Sequence, residues 1–227
     1  GELGNGNHFI ELDKDSAGCY WLTVHSGSRL LGQQIYDFYI DKGEQWNTRI
    51  FSELSGELMG QYIHDCEIAQ RFAKENRDTI IDIICKFLKT KIVDEYHSIH
   101  NYIDSKNMII RKGAISAKKG EKVIIPINMR DGCIIGIGRG NDDWNNSAPH
   151  GAGRIMSRSQ AKQVLKLEDY KDIMKDVYSS TVTQSTLDEA PFAYKPIESI
   201  LENIKETVEV IKVIKPIYNF KASDACD

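Results

Sequence analysis

The sequence predicts an α+β fold in which helices and short strands interleave irregularly around a mixed sheet. Two observations carry this. Apolar residues recur at three-to-four spacing over residues 65–89 and again from Pro196 onward. Between these stretches lie short β-branched runs bounded by glycine-containing turns.

The chain opens with a glycine-rich loop, Gly1-Glu2-Leu3-Gly4-Asn5-Gly6-Asn7-His8. Tyr20 to His25 form an aromatic and β-branched strand closed by the turn Ser26-Gly27-Ser28. Residues 65–89 form one helix with Ile68, Phe72, Ile80, Ile83, Ile84, Phe87 and Leu88 on its buried stripe. The break at Glu75-Asn76-Arg77-Asp78 predicts an exposed turn there. Short strands follow at Met108–Ile110, Val123–Ile127 and Cys133–Ile137, with turns at Gly120-Glu121 and Arg130-Asp131-Gly132. A helix begins near Ser157, whose spacing to Gln160 suits a capping box. Another begins at Pro196, buries Ile197, Ile200, Leu201, Ile204, Val208 and Ile211, and stops at Pro216.

At 227 residues the chain suits one large domain or two small ones. With 41% hydrophobic and 27% charged residues it can build a core without metal or disulfide staples, which excludes wholesale disorder. The net charge of -4 excludes a generally basic nucleic-acid coat, so any nucleic acid must meet a local patch. No apolar run approaches 18 residues, so no helical membrane span is expected. The five cysteines are odd in number and form no Cys-x-x-Cys pair, which favours reduced thiols in the cytoplasm.

Six histidines carry the candidate chemistry. His64 and His97 sit among polar residues and read as ordinary surface histidines. His8, His25, His100 and His150 each stand at the end of an element or in a glycine-rich turn, where side chains reach a shared cleft. Their spacing alone forms no zinc motif. His150 precedes Gly151-Ala152-Gly153-Arg154, a bare backbone ahead of a helix. Two readings stand side by side: a tight turn with a buried histidine, or an amide nest for an anion flanked by Arg154 and Arg158, with His150 as a nucleophile toward phosphorus. Gly136-Ile137-Gly138-Arg139-Gly140 lacks a following helix and reads as a strand with a close backbone approach, not a dinucleotide loop.

Six segments together resemble the RtcB-type RNA ligases. They are Gly6 to Glu11, His25 to Arg29 with Leu31-Gly32, His100-Asn101, Arg111 to Ala114, Ser147 to Arg154 with Met156 to Arg158, and Asp188 to Lys195. They keep the family's order and span nearly the whole chain. The resemblance implies an RtcB-like fold with a deep metal and nucleotide cleft. It also implies that residues 1–227 are the C-terminal part of a single catalytic domain whose N-terminal half is absent from this chain.

It further implies a chemistry. RNA ends bearing a 2′,3′-cyclic phosphate or 3′-phosphate are joined to 5′-hydroxyl ends in tRNA splicing or RNA repair, with GTP and two manganese ions. His150 matches the histidine that accepts GMP and passes it to the RNA 3′-phosphate. His8, His25 and His100 match metal-binding histidines. Asn7 and Asn101 match residues near the nucleotide phosphates, and Gly151, Ala152, Gly153 and Arg154 of the anion nest join them as nucleotide-binding candidates. Glu11, Tyr194 and Lys221 match residues that hold guanine. An activating protein partner is left open.

Two features depart from the family pattern. Members carry an Asp and a Cys as further metal ligands in their N-terminal part. No Asp-x-x-Cys stands here, and the nearest analogue is Asp224-Ala225-Cys226 at the opposite end. Where many members have Gly-Ser-Met-Gly-Thr, this chain has Ile127-Asn128-Met129-Arg130-Asp131. Two rival readings are a relative that binds RNA ends or GTP without ligating, and a metal-dependent cyclic phosphodiesterase. The first leaves the nucleophile at position 150 without a purpose, and the second leaves the guanine contacts without one.

Overall fold

The computed structural model describes residues 1–45 and 52–222. Asp224-Ala225-Cys226 lies outside the described residues. In chain order the elements are β1 (Phe9–Lys14), β2 (Tyr20–His25), α1 (Arg29–Lys42), β3 (Glu44–Gln45), β4 (Ser52–Glu53), α2 (Gly56–Leu88), β5 (His100–Asp104) and β6 (Ile109–Ser116). There follow β7 (Lys122–Asn128), β8 (Gly132–Gly138), β9 (Ser147–Pro149), α3 (Arg158–Val164), α4 (Leu167–Ile173), α5 (Ile197–Asn203) and β10 (Val208–Lys221).

Contacts divide the chain into two compact units. The first comprises Gly1–Gly4, Ser26–Lys91 and Tyr102–Arg111. It contains α1, the short antiparallel pair β3–β4, and α2. Helix α2 starts nine residues before the expected position and runs for 33 residues. Its polar break is not an exposed turn. Asn76 is buried, and its carboxamide donates to Glu2 O at 2.8 Å and to Ser26 Oγ at 3.1 Å while accepting from Glu2 N at 2.6 Å. A buried amide with its partners supplied costs little, so polarity there marks a specific tie instead of solvent. The expected buried stripe is also corrected. Ala69 and Ile80 are buried, whereas Phe72, Ile83 and Leu88 are exposed and Phe87 is 84% exposed.

The second unit comprises Asn5–His25, Ile92–Asn101 and the segment from Lys112 onward. Its centre is a five-stranded sheet in the order β2-β1-β10-β8-β7. All four pairings are antiparallel, which corrects the expected mixed sheet. Tight hairpins join β1 to β2 and β7 to β8, and such links need no crossover helix.

The largest correction concerns residues 208–221, expected to continue a helix. Helix α5 ends at Asn203, and β10 runs 14 residues through the middle of the sheet. Val208, Val210, Lys212, Val213 and Ile214 are mainly β-branched, and packing on both flanking strands outweighs the helical spacing. Pro216, expected to stop a helix, sits inside β10 where the register with β1 slips between Leu12 and Asp13. A proline inside a strand is tolerated at such a bulge because no ladder N–H is required.

The β7–β8 turn falls where the sequence puts it. Gly132 takes φ +78, and a Cβ there would stand 2.1 Å from Ile214 O. Gly136 and Gly138 also allow close backbone approach: added Cβ atoms would meet Val208 Cγ1 and Ala117 C at 2.4 Å. The main core packs Ile115, Val123, Ile125, Ile127 and Ile134 against Ile200, Ile204 and Val208. A second cluster sets Met129 against Tyr170, Met174, Val177 and Leu187. Among the described residues no helix is long and apolar enough to cross a membrane.

Candidate active site

The four singled-out histidines all belong to the second unit, and local pairing explains how each is aimed. His25 ends β2 and pairs with Phe9, so the β1–β2 hairpin sets His25 beside His8, with ring centroids 5.4 Å apart. His100 opens β5, and its Nε2 stands 3.2 Å from His25 Nε2. His150 follows β9, and its ring lies 4.5 Å from that of His100, tilted by 34°. Burial first, and then the charges of His100, His8, Lys221 and His150, hold the His25 imidazole well below the ordinary histidine range. A neutral imidazole is the ligating form.

His150 is held by a single backbone residue. β6 and β9 pair Ala114 with Pro149, which brings Gly113 opposite His150. His150 Nδ1 lies 2.6 Å from Gly113 O. A carbonyl only accepts, so Nδ1 carries the hydrogen, and in the neutral ring the lone pair is on Nε2. Gly113 N–H donates in turn to Asn101 Oδ1 at 2.7 Å. Gly113 takes φ +67, and a Cβ would touch the His150 ring at 3.4 Å. Asn7 is exposed in the loop beside His8, and Asn101 is exposed beside His100 with φ +59.

The segment after His150 is not the start of a helix. Ala152 N donates to Pro126 O at 3.1 Å, and α3 begins only at Arg158, capped by Ser157 Oγ accepting from Gln160 N at 3.2 Å. Instead, the segment docks on the stretch around Tyr194. Lys195 N donates to Gly153 O at 3.1 Å, Ile155 N to Ala193 O at 2.9 Å, and Arg154 bridges Tyr194 in antiparallel sense. Gly153 permits this with φ +72. Gly151 also approaches Pro126 O, within 3.2 Å of an added Cβ.

Arg154, Tyr194 and Lys221 converge on one residue that the sequence reading did not single out, Glu189. Its carboxylate accepts from Tyr194 Oη at 2.6 Å, pairs with Lys221 Nζ at 2.9 Å and Arg158 Nη1 at 2.6 Å, and lies 3.4 Å from Arg154 Nη1. Burial alone would raise this carboxyl, but the Lys221 charge, the Tyr194 hydrogen bond and Arg158 bring it below its ordinary value. Burial and the Glu189 charge push the Tyr194 phenol upward. Arg158 also binds Asp188 Oδ2 at 2.6 Å. Both arginines read as phosphate ligands thus have protein partners. The only signal for Glu189 was its place between Asp188 and Ala190.

Glu11 lies two residues along the β1–β10 ladder from the Phe9–Lys221 pair, and the Lys221 charge reaches it. It is buried, accepts from Asn219 Nδ2, and its Oε1 lies 3.6 Å from Cys133 Sγ. Burial and the Asp13 charge raise its carboxyl well above the usual range. In the divergent turn at Asn128 to Asp131 the polar side chains bond within the turn, while Met129 packs against Tyr170. Asn128 Oδ1 accepts from Arg130 N and Asp131 N at 3.0 and 2.9 Å, and Arg130 grips Asp131 through two bonds of 2.9 and 3.0 Å.

Residues 1–222 match the family model described as tRNA-splicing ligase RtcB. The chain therefore belongs to the RtcB family. It is 31% identical to the RNA-splicing ligase RtcB of Escherichia coli K12 over 96% of this chain and 60% of that relative. It is 29% identical to RNA-splicing ligase RtcB2 of E. coli ATCC 25922, over 98% of this chain and 65% of the relative. It is 25% identical to the tRNA-splicing ligase RtcB of Pyrobaculum aerophilum, over 95% and 57%. The chain thus spans about three fifths of the length of these relatives.

Proposed function

We propose that this chain carries the nucleotide-transfer part of a GTP- and manganese-dependent RNA ligase. In this reading the protein joins 2′,3′-cyclic phosphate or 3′-phosphate RNA ends to 5′-hydroxyl ends in the cytoplasm. The observation that carries it is the bond from His150 Nδ1 to Gly113 O. That bond fixes the tautomer with a nucleophilic Nε2 and fixes the ring beside three further imidazoles.

His150 Nε2 attacks the α-phosphorus of GTP, forms the N–P bond, and pyrophosphate leaves with the P–O bond electrons. Water first opens a 2′,3′-cyclic phosphate at the P–O2′ bond to give a 3′-phosphate and a 2′-hydroxyl; the GMP then passes to the RNA 3′-phosphate, giving an RNA-3′-pp-5′-G end, and the imidazole is released. The 5′-hydroxyl then attacks the 3′-phosphate and GMP departs. His8, His25 and His100 would hold divalent ions, and the fit rests on two Nε2 atoms facing each other at 3.2 Å. Such ions supply charge neutralisation at the phosphate oxygens. Three imidazoles suit a borderline divalent cation.

Asn7, Asn101 and the Gly151-Ala152-Gly153 backbone are assigned to the phosphates, with Arg154 bracing that backbone through Tyr194 and Glu189. Lys221 donates to guanine O6, Tyr194 stacks on the base, and Glu11 accepts guanine N–H groups. Adenine offers a donor where guanine offers O6, so this set favours GTP. Incubation of the full-length protein with manganese and α-labelled GTP tests the reading. An acid-labile, base-stable label should appear on His150 and vanish in His150→Ala. A label that persists in that variant places the nucleophile elsewhere.

A further inference from the structure

Glu189 belongs to the second unit and is 1% exposed. Donors fill both of its carboxylate oxygens. Arg158 Nη1 at 2.6 Å and Arg154 Nη1 at 3.4 Å face Oε1. Tyr194 Oη at 2.6 Å and Lys221 Nζ at 2.9 Å face Oε2. An ionised carboxylate offers about four lone-pair sites, and these donors occupy them. Glu189 therefore keeps no acceptor site for a ligand, and none for the exocyclic amine of adenine. Its action on a nucleotide runs through the side chains that it holds.

The stem of Lys221 is fixed independently of Glu189. Its N–H donates to Thr181 Oγ1 at 3.0 Å, it pairs with Phe9 across the β1–β10 ladder, and its ammonium lies 5.0 Å from the Phe9 ring centroid. Phe9 and Glu11 stand two residues apart on β1 and share a face, so Lys221 and Glu11 are diagonal neighbours in the ladder. The Lys221 charge reaches Glu11. A lysine and a carboxylate so placed pair with each other when nothing else holds them. Once paired, neither is free to meet a base. Glu189 takes the ammonium instead. An ammonium has three N–H donors and no acceptor, so donors remain for a ligand.

We propose that Glu189 is the positioning residue for base selection: it holds Lys221 off Glu11, and Tyr194 by its phenol, so that a donor and an acceptor stay available to one purine. Guanine fits that pair. Its O6 suits the donor, and its N1–H and 2-amino group suit the acceptor. Adenine turns an amine toward the ammonium and has no 2-amino group for the carboxylate. A site built for such hydrogen bonds rejects the base that cannot make them. This inference rests on the ligase reading of Lys221, Tyr194 and Glu11 as guanine contacts, and adds the residue that keeps them apart.

Binding of GMP, IMP and AMP to the full-length protein with manganese is measured by calorimetry, so no transfer step enters the readout. The unaltered protein should prefer GMP to AMP. Glu189→Gln should weaken GMP and IMP, which both carry O6, by about tenfold or more, and AMP by less than about twofold. A merely structural loss weakens all three alike. Tyr194→Phe keeps the ring and the Glu189–Lys221 pair, and should lower the GMP-to-AMP ratio about twofold or more. It carries the test if Glu189→Gln does not fold. An unchanged ratio in the folded variant, or an equal loss of all three nucleotides, overturns the proposal and leaves the guanine contacts standing. No preference for GMP in the unaltered protein overturns those contacts and the proposal with them. GTP labelling of His150 is read separately, so base selection can fail while the nucleophile stands.

Discussion

Gly113 O accepts from His150 Nδ1 at 2.6 Å, while Gly113 N–H donates to Asn101 Oδ1. One glycine therefore sets the tautomer of the candidate nucleophile and is itself set by the neighbour of His100. Gly113→Ala should strain the backbone, since φ is +67, by about 1–2 kcal/mol. It should also press on the imidazole at 3.4 Å. The expected result is at least a tenfold loss of His150 labelling with a Tm lowered by only a few degrees. Equal labelling in the variant and the parent would refute the positioning argument.

Asn101→Ala removes one acceptor and leaves Gly113 O in place. Labelling should fall less than in Gly113→Ala, by roughly the ~1 kcal/mol of one hydrogen bond. A larger loss than in the glycine variant would show that Asn101 acts on the nucleotide directly.

Manganese is paramagnetic and broadens protons near it. In proton spectra, added manganese should broaden the ring resonances of His8, His25, His100 and His150 before those of His64, which is exposed on α2. Chelation should restore them. Uniform broadening of all six histidines would remove the support for a clustered ion site.

Glu189 is nearly fully buried against Lys221, Arg158 and Arg154. Removing one partner of a buried ion pair costs about 3–5 kcal/mol. Glu189→Gln should thus lower Tm markedly, as followed by circular dichroism. The carboxyl is held below its unfolded value of 4.5. Its stabilisation is therefore complete above that value and is lost as pH falls through the folded-state pKa. The gap in stability between parent and variant should close on acidification. A gap independent of pH would assign the loss to packing.

Two glycines in the second unit with similar backbones predict different costs. Gly120 takes φ +82 with open space around it, whereas Gly132 takes φ +78 with Ile214 O in the way of a Cβ. Gly120→Ala should cost only the backbone strain of about 1–2 kcal/mol. Gly132→Ala should cost clearly more, because a main-chain oxygen of the central strand β10 must move. Denaturant midpoints of the two variants check the ranking.

Much of the local structure was legible in the sequence. The strand at Tyr20–His25, the Ser157 cap and the turn at Arg130-Asp131-Gly132 follow from residues adjacent in the chain. The six motif segments sufficed to point to the family that the comparison then found. Residues 208–221 were not legible. Val208 and Ile211 continue a helical spacing, and only the flanking strands β1 and β8 settle the segment as extended. Phe72 and Phe87 fit an apolar stripe, but burial depends on what covers a face, which spacing does not encode.

The sequence by itself determined which residue types were present for the chemistry: four histidines in glycine-rich or terminal contexts, a carboxylate near the start, and an aromatic and a lysine near the end. Only the tertiary structure decided who meets whom. His8, His25, His100 and His150 are separated by up to 142 positions yet sit ring against ring. Arg154, read as a phosphate ligand, is brought by the fold to Glu189 as well. Local propensity and turn chemistry act over a few residues, so one strand of sequence records them. Side-chain convergence is set by strand order and register, and these are fixed by the packing of segments far apart in the chain.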